Sequence, residues 1–92
     1  MPRWAAKVDR NHAHIRDGLR ECGYYVIDTG RVGNSFPDLL VVSKAGRIVL
    51  LEIKNPGEYP TEGQARFLTH FPGPASVVFG LQDALDVMVR HD

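Results

Sequence analysis

Three side chains of this sequence are spaced so that they could do chemistry together: Asp38, Glu52 and Lys54. Asp38 precedes the apolar run Leu39–Val42, and Glu52 and Lys54 close the run that begins at Ile48 (IVLLEIK). Between the runs, Lys44, Ala45 and Gly46 fit a three-residue hairpin loop with glycine in the left-handed position. If Ser43 pairs with Arg47, antiparallel register keeps the sum of opposed residue numbers constant, and counting outward sets Asp38 opposite Glu52. Their Cβ atoms would then be about 5 Å apart. Lys54 lies two residues beyond Glu52 and so on the same side of the strand.

Like charges facing each other destabilise a hairpin, and an apolar sheet weakens their solvation. A divalent cation removes the conflict. Two carboxylates and a nearby main-chain carbonyl, that of Ile53, offer the hard oxygen ligands that magnesium prefers, with positions left for water and phosphate. Such an ion lowers the pKa of a bound water and stabilises charge on a transferring phosphoryl group. Lys54 could orient the attacking water or hold the scissile phosphate. The plainer alternative is an edge salt bridge between Lys54 and one acid, which is common and contributes little.

The elements that must position these residues follow from periodicity. From Asp9 to Cys22 the apolar positions Ile15, Leu19 and Cys22, preceded by Val8 and His12, recur every three or four residues, which predicts a helix capped by Asp9 and ended by Gly23. Tyr24–Asp28 (YYVID) is β-branched and aromatic and reads as a strand, followed by a polar Gly-rich loop, 30–36, expected to be mobile. The nearly continuous apolar runs 39–42 and 48–53 read as strands covered on both faces. Thr61 with Gln64 matches a capping box, and Phe67, Leu68 and Phe71 supply the inward stripe of a second helix. Ala75–Phe79 reads as a fourth strand, and Leu81, Leu85 and Met88 mark a closing helix. The order is αβββαβα, an α/β (α+β) class with a mixed four-stranded sheet flanked by helices. Without repeats or linker-like stretches, residues 1–92 are expected to form a single domain.

A chain of 92 residues has a thin core. Its 43% hydrophobic and 24% charged content is ordinary for a globular protein. No apolar run approaches the roughly 18 residues of a membrane span, and MPRWAAKVDR lacks the apolar core of a signal peptide, so a cytoplasmic location is expected. The lone Cys22 excludes an internal disulfide and argues against thiolate zinc; it is expected as a small buried hydrophobe. Net charge is zero, but residues 1–56 carry nine basic side chains against six acidic ones. A phosphate-binding surface would therefore come from the first part of the chain.

The words FPDLLVV and IVLLEIKNP, joined by a short turn, resemble the PD-(D/E)XK nuclease superfamily. Within it, the chain is similar to the short VRR-NUC-like phage proteins related to Holliday-junction resolvases, and the likeness runs from the first helix to the last. The resemblance implies a restriction-endonuclease-like core and a metal-dependent endonuclease acting on DNA, branched or duplex. It implies Mg2+ or Mn2+ held by Asp38 and Glu52, and catalysis assisted by Lys54. It brings in Gln64, which in similar proteins faces the active site, although completing the capping box would also explain it. For a phage-encoded protein the location becomes the host cytoplasm.

One position departs from the pattern. Relatives commonly carry a Glu just before an apolar residue of the first helix's inward face, and here that place, preceding Ile15, is His14. Imidazole is a poorer partner for magnesium than a carboxylate, so manganese, a His14 base or weakened activity are the options. Asp17, one turn on, could substitute for the acid, and His12 and His14 fall on different helix faces. The loop residues Arg31, Asn34 and Ser35 lead into Pro37-Asp38, placed to meet a phosphate; similar proteins often have Gly where Ser35 stands. Two symmetrical cuts in a junction, and a thin core, both point to a homodimer. The rival reading is a binding or assembly module that keeps the fold after losing catalysis.

Overall fold

The computed structural model describes residues 3–92, with side chains from residue 10 onward. Helix α1 (Arg3–Glu21) is followed by strands β1 (Tyr25–Asp28), β2 (Leu39–Val42) and β3 (Ile48–Ile53), then α2 (Glu62–His70), β4 (Ala75–Val78) and α3 (Leu81–His91). The αβββαβα order is thus as expected. The fold is α+β, three helices on a mixed sheet of order β1-β2-β3-β4, antiparallel through β3 and parallel between β3 and β4. No helix among the described residues is long and apolar enough to cross a membrane.

Helix α1 begins six residues before Asp9, which therefore lies inside the helix and not at its cap. The side chains of Val8 and Asp9 lie outside those described. Ile15 and Leu19, one turn apart, are fully buried. Gly18 lets α3 approach: a Cβ there would stand 2.5 Å from Leu81 Cδ2. The helix ends as the sequence indicates, with Gly23 at φ 92°, its N–H bonded to Arg20 O and the Tyr24 N–H to Leu19 O. Cys22 corrects the expectation of burial. It follows Glu21, the last helical residue, so the chain has already left the helix and no longer carries it onto the apolar face, and it is exposed.

The β2–β3 hairpin has the deduced register. Leu39 pairs with Leu51 and Val42 with Ile48. Gly46 adopts φ 82°, and Ser43 N–H donates to Arg47 O at 2.8 Å. Alternation sends Leu39, Val41, Val49, Leu51 and Ile53 into one core with Ile15, Leu19, Ala84, Val87 and Met88. Leu50 and Glu52 consequently face the other side, and both are buried there. Helix α2 is only half-sunk. None of its residues is fully buried, and Phe67 is held by Phe36 edge-on at 5.3 Å and Phe71 stacked at 6.0 Å. The 30–36 loop is closed at its base, where Thr29 N–H donates to Asp38 O and Thr29 Oγ1–H to Pro37 O.

Candidate active site

The hairpin carries Asp38, Glu52 and Lys54 to the same end and face of the sheet. Asp38 Oδ2 accepts the Ile53 N–H at 2.8 Å, a bond that fixes the carboxylate against the end of β3. Lys54 Nζ stands 3.9 Å from Glu52 Oε1, and Lys54 N–H donates to Val78 O, pinning this strand end to β4. Ile53 thus contributes its N–H to Asp38 while its carbonyl belongs to the adjoining peptide of the same strand end. A side-chain bond from Asn11 Nδ2 to Asn55 Oδ1 at 3.1 Å ties α1 to the residue after Lys54.

Glu52 is the unusual member. It is 2% exposed, and its Oε2 is buried with no hydrogen-bond partner. Burial, and next the charge of Asp38, push its carboxyl up to about 7, against the opposing pull of Lys54. A buried acceptor without a donor costs about 1–3 kcal/mol, and a proton or a cation at this oxygen, beside the Asp38 carboxylate, would relieve it. Two carboxylates brought together at one end of the sheet are hard oxygen donors of the kind a divalent ion takes. Among the described residues no third His, Cys, Asp or Glu side chain joins the pair.

Beside Asp38 opens a cleft of about 470 Å³ lined by His12, Ala13, Arg16, Asp28, Gly30 and Arg31. Arg31, singled out from the sequence, therefore shares this cleft with Asp38. His14 does not. It is exposed and absent from this lining, and the helical residue that faces the cleft is His12. A separation of two residues turns a helix by about 200°, so the two histidines point to opposite sides. Asp17 does not substitute for a helix acid either, being exposed and bonded to Arg16 Nε at 2.9 Å.

Gln64 is half-buried, and its Oε1 accepts the Thr61 N–H while its own N–H donates to Thr61 Oγ1, so the capping box is complete. Asn34 and Ser35 line a second, shallower groove with Gly63, Arg66, Phe67 and His70. Both have left-handed backbones, φ 54° and 63°. His12, Arg16 and Asp28 were not anticipated as a group. The usable signal was the one-turn spacing of His12 and Arg16, but their meeting with Asp28 depends on how α1 crosses the end of β1.

No protein-family model matches the chain, and no curated protein matches it. Among solved structures it is similar to one described as a "VRR_NUC domain", with a TM-score of 0.73 and 24% sequence identity, covering 92% of this chain and 96% of that one. The fold is that of a VRR_NUC domain. The VRR_NUC likeness extends over nearly the full length of both chains.

Proposed function

We propose that this protein is a metal-dependent endonuclease that hydrolyses DNA phosphodiester bonds, with Asp38, Glu52 and the Ile53 carbonyl as ligands of magnesium or manganese. The observation that carries the reading is the buried, unpartnered Glu52 Oε2 beside Asp38 at the strand end. The VRR_NUC fold supports it. A bound divalent ion would supply Lewis-acid stabilisation of the charge that builds on the phosphoryl oxygens.

The chain's own residues do the positioning. The Ile53 N–H keeps Asp38 from rotating away from Glu52. Lys54, 17% exposed, offers its ammonium to the scissile phosphate and offsets the two carboxylates. Arg31, on the cleft rim, meets the flanking backbone phosphate. Gln64, Asn34 and Ser35 we assign to the approach of the strand along α2.

For the substrate we favour branched DNA cut by a homodimer in the cytoplasm. A surface for the partner copy is offered by the sheet face opposite α1 and α3. There Tyr25, Val42 and Ile48 are cross-strand neighbours, with Tyr25 67% and Ile48 50% exposed. Apolar rows of this kind are what obligate interfaces bury.

The test is cleavage of labelled four-way junction and linear duplex by wild type, Asp38→Ala and Lys54→Ala with magnesium, manganese or chelator. Metal-dependent cutting lost in both variants, and preference for the junction, is the expected result. Binding without cutting in any metal would transfer the protein to the assembly-module reading.

A further inference from the structure

The cleft beside Asp38 holds chemistry that the carboxylate pair does not use. Asp28, the last residue of β1, accepts the Gly30 N–H at 3.0 Å and Arg16 Nη1 at 2.9 Å, and His12 Nε2 lies 3.0 Å from its Oδ1. Burial pushes the Asp28 carboxyl up, but the Gly30 N–H, Arg16 and His12 together outweigh it and hold the group below its usual range. Asp28 is therefore ionised and can only accept. Nε2 must then carry the proton of the neutral imidazole, which leaves the lone pair on Nδ1. Among the described residues Nδ1 has no hydrogen-bond partner. The pair is also seated tightly: a Cβ on residue 30 would stand 3.0 Å from His12 Cε1 and 3.2 Å from Asp28 Oδ1.

We propose that His12 is the general base of this cleft, oriented by Asp28, and that its Nδ1 takes the proton of the water that attacks the phosphodiester. The assignment rests on the nuclease reading. As the water oxygen bonds to phosphorus, one of its protons passes to the Nδ1 lone pair. The phosphorus–oxygen bond to the leaving sugar oxygen breaks, that oxygen keeps the electron pair, and solvent protonates it. Asp28 faces the imidazolium so formed and stabilises it, and the ring later returns its proton to solvent. Arg16 from the same helix, Arg31 from the following loop and Asp38 from the start of β2 are the other charged groups around the cleft. Lys54 is left to hold the phosphate.

The experiment is steady-state cleavage by wild type, His12→Ala, His12→Gln and Asp28→Asn, with Asp38→Ala as the inactive reference, alongside nitrogen-detected NMR of the imidazole. His12→Gln can still donate to Asp28 and so guards against loss of fold. Both His12 variants are expected to lose about a hundredfold in kcat with KM unchanged, and added imidazole should restore part of the rate of His12→Ala. Asp28→Asn should lose a similar factor. NMR should find the Nε2–H tautomer in the wild type. Wild-type kcat in both His12 variants, a change confined to KM, or an Nδ1–H tautomer overturns the proposal while the nuclease reading stands. A wild type that cuts nothing takes both down.

Discussion

Replacing Glu52 by Gln should stabilise the metal-free protein at alkaline pH, and the size of the gain follows from the buried carboxyl. The group ordinarily titrates at 4.5 and is pushed up to about 7 in the fold. Below pH 4.5 both folded and unfolded chains hold the proton, and Glu52 adds no pH dependence. Between there and about pH 7 the unfolded chain ionises while the folded one keeps its proton, so stability falls across this window and stays low above it. At 1.36 kcal/mol per pH unit of difference, the loss is at most about 3 kcal/mol. An amide has the same shape and no charge, so Glu52→Gln should recover most of it at pH 8 and almost none at pH 4. Urea unfolding of both proteins in chelator, followed by circular dichroism at the two pH values, measures the gap. Excess magnesium at pH 8 should close it by stabilising the wild type alone. A variant no more stable than wild type at pH 8, or a gap equal at pH 4 and pH 8, would refute the argument that Glu52 is held in a costly uncompensated state.

Ser35→Gly should raise stability by about 0.5–1 kcal/mol, read as a higher midpoint of thermal unfolding, because Ser35 sits at φ 63°, where a Cβ is strained, and glycine is not. Gly30→Ala should cut the cleavage rate by about tenfold or more without lowering the melting temperature to match, since its methyl would press on His12 and Asp28. Tyr24→Phe removes the bond its hydroxyl donates to Asp92 Oδ2 and should cost about 1 kcal/mol in urea unfolding. In the wild type, spectrophotometric titration of that phenol should place it at about 12, because the Asp92 bond and burial both oppose its ionisation.

The hairpin that carries Asp38, Glu52 and Lys54 was legible because two independent constraints agree on its register. The three-residue loop fixes which residues oppose, and the apolar pattern fixes which face is buried. Helix α1 was legible in its periodicity but not in its extent. The stretch before Asp9 lacks a capping signal, yet Trp4, Ala5, Ala6 and Lys7 continue the helix. Cys22 was misplaced because the periodicity was extended one residue beyond the last helical turn. His14 was taken from a resemblance aligned on Ile15, whereas the histidine that lines the cleft is His12, set by how α1 is seated against the rest of the fold. That seating includes the close approach of Gly18 to Leu81 of α3, a contact between segments far apart in sequence. The His12–Asp28 pair is illegible for the same reason: nothing local connects a helix residue to the last residue of the next strand.

The turn at Lys44–Gly46 lies roughly 20 Å from Glu52, the length of a six-residue strand, and touches none of the residues proposed to act on DNA. Yet its length decides which way they point. Loss of a single codon there would shift every residue of β3 by one and exchange its two faces, sending the Glu52 and Lys54 side chains toward Ile15 and Leu19 while Ile53 took the place beside Asp38. Loss of two codons would keep the faces and only slide them. An inherited deletion in a solvent-exposed loop would thus silence or spare this site according to whether it removed an odd or an even number of residues.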